Sequence, residues 1–131
     1  MVVFIQRDAP LAVQDLLDTA PFLDGVKITS NTDHTYSIHE GPYVLVDADG
    51  TPSAGRATAT ENVRVAVFSK YRPEARSLCA WIDAFLQDPA HTTGFAPAPG
   101  GNLFVAPDDV TGGYVASITV RWAAPKLGVN K

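Results

Sequence analysis

Apolar and polar positions alternate along this chain with two periods, and the two periods mark out its elements. From Asp8 to Gly25 the chain reads "DAPLAVQDLLDTAPFLDG", with Val13, Leu16, Leu17 and Ala20 at the i, i+3, i+4, i+7 spacing of one helical face. Asp8 suits an N-cap, Pro10 falls in the first turn where a missing N–H is harmless, and Pro21 stops the helix. "GVKITS" then alternates Val26 and Ile28 with Lys27 and Thr29, the pattern of a half-buried strand. "NTDHTYSIHE" is polar and is expected to be an exposed strand extension or a loop. Tyr43–Val46 is continuously apolar, so it is expected to be a central strand or one covered on both sides.

"NVRVAVFSKYRPEARSLCAWIDAFLQDP" carries both periods in succession. Val63, Val65 and Val67 alternate with Arg64, Ala66 and Phe68 as a strand. After the corner "SKYRPEAR", Ala75, Leu78, Cys79, Ile82, Phe85 and Leu86 share one helical face. Pro73 stands where a first helical residue would, Glu74 favours the positive end of the helix dipole, and Asp88-Pro89 closes the helix. Trp81 falls off the stripe, at the edge of the core or on a surface that another chain covers. A Pro/Gly loop follows, then a short strand over Leu103–Ala106. In the last strand Tyr114, Ala116, Ile118, Val120 and Trp122 oppose Val115, Ser117, Thr119 and Arg121, whose polar members imply a wet or partner-covered side. The order is α-β-β-β-α-(β)-β. It predicts an α+β domain with a mostly antiparallel sheet of about four to five strands and two helices on one face.

One segment resists this reading. Asp47–Thr60, "DADGTPSAGRATAT", has no apolar residue larger than alanine and is long for a hairpin loop. Residues 47–60 are therefore expected to be a mobile loop that orders on a neighbouring chain, with Arg56 as its one strong charged donor.

Composition adds few constraints. The 131 residues fit one domain, and 46% apolar with 18% charged residues is globular, with fewer charges than usual. The net charge of −4, with ten scattered Lys and Arg, argues against a sequence-reading nucleic-acid binder. Cys79 has no partner for a disulfide and reads as a small core residue. No run approaches the ~20 apolar residues of a membrane span, and "MVVFIQRDAP" lacks the features of a signal peptide, so synthesis and folding in a cytoplasm are expected.

Candidate chemistry is sparse. "DADG" places Gly50 at position four, whereas a calcium loop needs glycine at position six and a carboxylate at position twelve. His34 and His39 are five apart in a segment expected to be extended, so they fall on opposite sides, and His91 has no evident partner. Adjacent Asp108 and Asp109 point apart and read as turn residues. There is no G-x-S-x-G elbow, P-loop or dinucleotide fingerprint. No catalytic, cofactor or metal residue is assigned.

The unit "VRVAVFSKYRPEARSLCAWIDAFL", with the later "GGYVASITVRW", resembles the tail terminator (tail completion) proteins of long-tailed bacteriophages, of the kind found in phages of actinobacterial hosts. In that family a V-R-V-x-V strand leads through an arginine-bearing turn into a helix of the form A-R-x-L-x-x-x-(I/V)-D-x-(L/F)-L. A late Y-x-A-(S)-(I/F)-T-V-R strand closes the sheet. Here these elements are Val63–Val67, Ala75–Leu86 and Tyr114–Arg121, about a third of the chain. The opening helix is similar too, whereas "NTDHTYSIHEGPY" departs from the pattern.

The resemblance implies a structural virion protein without enzymatic activity. It would form a ring, expected to be hexameric, that caps the tail tube and joins it to the head connector. Genomic DNA would pass through the lumen without sequence-specific binding. The implied partners are further copies of the chain, the tail tube protein and the head-closure protein. On this reading Arg56, Arg64, Tyr71, Arg72, Trp81 and Arg121 are the candidates for subunit or tube contacts. Another head–tail connector ring and a small cytoplasmic ligand-binding or enzymatic domain are the alternatives; a pocket with convergent polar groups would mark the last.

Overall fold

A computed structural model describes residues 2–5, 8–29, 38–48, 58–88, 96–98, 103–125 and 127–130. The chain opens with a strand, β1 (Val2–Ile5), before the first helix, α1 (Ala9–Leu17). Asp8 caps α1 as expected, its carboxylate accepting the Leu11 N–H at 3.1 Å. The helix stops sooner than its apolar spacing implies: the Thr19 hydroxyl donates to the Leu16 carbonyl at 2.6 Å, and Pro21–Leu23 forms a 3-10 turn that buries Leu23.

The strands β2 (Lys27–Thr29), β3 (Tyr43–Ala48) and β4 (Thr58–Ser69) follow, then α2 (Arg72–Gln87). Next come β5 (Ala96–Ala98), β6 (Phe104–Asp108), β7 (Gly113–Pro125) and β8 (Leu127–Asn130). The main sheet has the order β2-β3-β4-β7-β5, with β6 also paired to β7, and β1 pairs with β8 in a separate two-stranded sheet. The α+β class holds and the predicted order matches roughly, with β1, β5 and β8 added to it. All pairs in the main sheet are antiparallel except β2–β3, which is parallel. A parallel pair needs a crossover of about a dozen residues, and the chain between Thr29 and Tyr43 is of that length.

The valine alternation determines the core. Register aligns Val46, Val65 and Ile118 in one row and Val44, Val67 and Ala116 in the next, all fully or nearly fully buried. Both helices pack on this face, α1 over β2–β4 and α2 over β4 and β7. Val13 and Leu17 of α1, and Ala75, Cys79, Ile82 and Leu86 of α2, complete the cluster.

Several expectations need correction. Leu78 and Phe85 are only partly buried, because the deepest line of α2 runs through Cys79, Ile82 and Leu86 and leaves them on its flanks. The helix begins at Arg72, one residue before Pro73. The segment expected to be a loop over 47–60 is shorter at both ends. Asp47 and Ala48 belong to β3, and Thr58–Thr60 pair with Ala123–Pro125 of β7. The long ladder to β7 orders these small residues through backbone hydrogen bonds, which do not depend on side-chain size. The expected mobility of this loop and its donor Arg56 lie in 49–57, outside the described residues. In the polar segment before Gly41, Ile38–Glu40 forms a 3-10 turn with Ile38 buried, and the remainder also lies outside the described residues. The expected strand at Leu103–Ala106 is β6, shifted to Phe104–Asp108. β5, read as loop, pairs with β7 despite Pro97.

Candidate functional site

Among the described residues neither α1 nor α2 covers the opposite face of the sheet, although the Ile38–Glu40 turn comes against it at Gly113. Period-2 alternation and the register place three rows of residues there. Lys27, Tyr43, Phe68, Val115 and Ala106 make one row. Thr29, Leu45, Ala66, Ser117 and Phe104 make the next, and Asp47, Arg64 and Thr119 the third. Tyr43 and Phe68 stack, with ring centroids 4.8 Å apart and planes 14° from parallel. Burial raises the Tyr43 phenol above its ordinary range, and the Asp108 carboxylate raises it further. Phe104 remains 62% exposed. The face thus grades from an apolar, aromatic half to a charged end where Asp47 stands across from Arg64 in register.

The other candidates lie elsewhere. Tyr71 and Arg72 form the corner between β4 and α2. Fully buried Ser69 shapes that corner: its hydroxyl donates to Glu74 Oε1 at 2.6 Å and accepts the Tyr71 N–H at 3.1 Å. Ser69 thereby satisfies the backbone N–H of Tyr71, the N-cap residue, whose own side chain makes no capping hydrogen bond. The Tyr71 side chain is left 60% exposed, and Arg72 is exposed beside it. Trp81 sits on the helix layer, 58% exposed, edge-on to Phe22 at 5.6 Å; Phe22 in turn meets Phe85 edge-on at 5.9 Å. Trp81 therefore crowns the rim of the core with most of its ring in solvent. The Arg121 backbone pairs with Asn62 and Ala98; its side chain, like all of Arg56, lies outside the described set.

The fold therefore does not gather Arg64, Tyr71, Arg72 and Trp81 into one site. It spreads them over the helix-free face, one end of the sheet and the helix layer. Tyr43, Phe68 and Phe104 were not singled out from sequence. The alternation places Phe68 on the same side as Arg64, but Phe104 lies after a Pro/Gly stretch that hides its register.

No three His, Cys, Asp or Glu among the described residues lie close enough to hold a metal ion. His34 and His91 are outside the described residues, and His39 is exposed on the 3-10 turn. Asp108 serves a turn, its carboxylate accepting the Val110 N–H at 3.3 Å and the Thr111 hydroxyl at 2.7 Å. Cys79 is fully buried; burial, with a smaller contribution from Asp83, pushes its thiol up to about 12. Native Cys79 should resist alkylation at pH 8 and react once denaturant exposes it. A thiol whose folded pKa is raised contributes stability below its unfolded value near 9, and this is lost as pH rises toward 12. Rapid labelling of the folded protein at pH 8 would contradict the placement of α2.

Among the described residues no helix is long and apolar enough to cross a membrane. No protein-family model and no curated protein matches this chain.

Proposed function

We propose that this protein is a ring-forming structural subunit of a phage tail, a tail terminator that caps the tail tube and meets the head connector. The observation that carries the reading is the distribution of its exposed large side chains. Phe104 on the helix-free face, Tyr71 at the end of the sheet and Trp81 on the helix layer are all more than half exposed. A ring subunit must touch a neighbour on each flank and other rings above and below, so contact residues on several surfaces are what it requires. A pocket protein instead converges its polar groups on one cleft. The resemblance of Val63–Val67, Ala75–Leu86 and Tyr114–Arg121 to tail terminators supports reading that ring as a tail terminator. The net charge of −4 suits a conduit for DNA, because each cationic contact in a lumen would add phosphate affinity.

On this reading the virion, at the head-proximal end of the tail, is where the protein acts, and a hexamer is the expected ring. Immunogold labelling and negative-stain imaging of tails test it. One ring of label at the head-proximal end is the expected result. Copies spread along the tube would identify a tube protein, and label confined to the head vertex would identify a connector ring instead.

A further inference from the structure

Charge is divided unevenly over this molecule. Residues 8–26 and 77–88 carry Asp8, Asp15, Asp18, Asp24, Asp83 and Asp88 but no Lys or Arg. These stretches hold α1, the Pro21–Leu23 turn and most of α2. Asp18 and Asp88 are the C-caps of the two helices, at the negative ends of their dipoles, and neither last turn contains a basic residue. The helix layer is therefore anionic over most of its length. Lys70, Arg72 and Arg76 gather instead at the corner that opens α2. There Lys70 and Arg72 flank Tyr71, and all three are exposed. Glu74, in the same turn, accepts the Ser69 hydroxyl at 2.6 Å.

The anionic layer also presents an aromatic patch. Leu78, Trp81 and Phe85 recur at i, i+3 and i+7, a second apolar stripe on α2 beside the buried line of Cys79, Ile82 and Leu86. Phe22 packs edge-on against both rings of that stripe, and Trp81 keeps 58% of its surface in solvent. Asp24 follows Phe22 by two residues and Asp88 follows Phe85 by three, both exposed. The indole thus lies among carboxylates. An indole face attracts a guanidinium, and neighbouring carboxylates add to that attraction. Trp, Tyr and Arg, the residue types met at the patch and at the corner, are those that dominate interface energetics.

Within one chain the two surfaces cannot meet. Arg72 and Trp81 are 81 − 72 = 9 residues apart on one helix, about 14 Å and about two and a half turns, so they point to opposite sides of it. A second copy is free of this constraint. We infer that the corner of Lys70, Tyr71 and Arg72 in one copy docks on the patch of Trp81, Phe22, Asp24 and Asp88 in a second copy. Complementary charge selects that occupant: corner on corner would set cations together, and patch on patch would set carboxylates together. The contact joins two different surfaces, so it closes into a ring or propagates as a filament. The inference rests on the ring reading above and names the contact between neighbours. The attracting charges are exposed, so salt weakens the contact.

Sedimentation velocity of the full chain over a range of concentrations tests this. Self-association is expected, weaker at higher salt. Trp81→Ala should weaken it at least tenfold, and so should Lys70→Glu combined with Arg72→Glu. Adding Asp24→Lys and Asp88→Lys to that double variant reverses both partners and should restore association at least tenfold. Thermal unfolding by circular dichroism confirms that each variant is folded. As a second measurement, a mixture of Tyr71→Cys and Trp81→Cys proteins treated with a short bis-maleimide should give the mixed cross-linked dimer; Cys79 does not compete, because it is fully buried. A wild-type chain that stays monomeric at the highest concentration, Trp81→Ala with normal association, a fourfold variant no better than the double one, or cross-linking only between like variants would each overturn the proposal. A single ring on tails without the mixed cross-link would leave the ring reading standing and remove this contact; the cross-link without such a ring would do the reverse.

Discussion

Truncating Ile82 to alanine is expected to destabilise the fold by about 2–5 kcal/mol. Ile82 is fully buried on the deepest line of α2, between Cys79 and Leu86, in the same cluster as Val65 and Ile118. The lost transfer energy adds to that of a cavity that the β4–β7 ladder cannot collapse to fill, because twelve consecutive residue pairs hold those strands in register. Leu78→Ala should cost less, since Leu78 is only partly buried. Urea unfolding of the two variants checks both the size and the order. An Ile82→Ala loss below about 1 kcal/mol, or a larger loss at Leu78, would mean that α2 presents a different face to the sheet.

Gly113→Ala should be costly for a different reason. Gly113 is buried at the start of β7, and a Cβ there would overlap the Ser69 backbone carbonyl and come within 2.7 Å of Ile38 Cδ1. A side chain can rotate aside, but the Ser69 carbonyl belongs to the backbone that pairs with Tyr114. The Ser69 hydroxyl also anchors the start of α2 through Glu74 and the Tyr71 N–H. Relief of the clash must therefore shift β4, the corner or the Ile38 turn. Overpacking of this kind costs about 1–3 kcal/mol and can cost more where backbone must move. Chemical denaturation gives the magnitude, and hydrogen exchange at Ser69–Tyr71 should quicken. Unchanged stability and exchange would show that β4 and β7 have room at this end.

The helix-free face has a pH dependence of its own. Because the folded Tyr43 phenol is raised above its ordinary value near 10, its contribution is present below that pH and lost as pH climbs past it. The Cys79 contribution begins to be lost from near 9, so the two losses overlap in strong alkali.

The local pattern was enough for the parts of this fold that depend on neighbours in the chain. The Asp8 cap, the valine alternation of β4 and the Asp88-Pro89 stop are written into short stretches, and capping, period and proline act within a few residues. From these the two helices, the central strands and the helix-bearing face follow. The remaining features are non-local and arise from pairing and packing. The parallel pairing of β2 with β3 depends on a crossover that no periodicity marks. β1 and β8, "VVFI" and "LGVN", are too short to read as strands, and each becomes one by meeting the other end of the described chain. Thr58–Thr60 look unable to anchor themselves because their side chains are small, yet backbone pairing to β7 holds them. The contact surface divides in the same way. The resemblance to a ring subunit marked Arg64, Tyr71, Arg72 and Trp81 as candidates, whereas their separation onto different surfaces came from register and packing. Phe104 emerged only once β6 was paired with β7, because a side chain's face in a sheet is determined by the strand beside it.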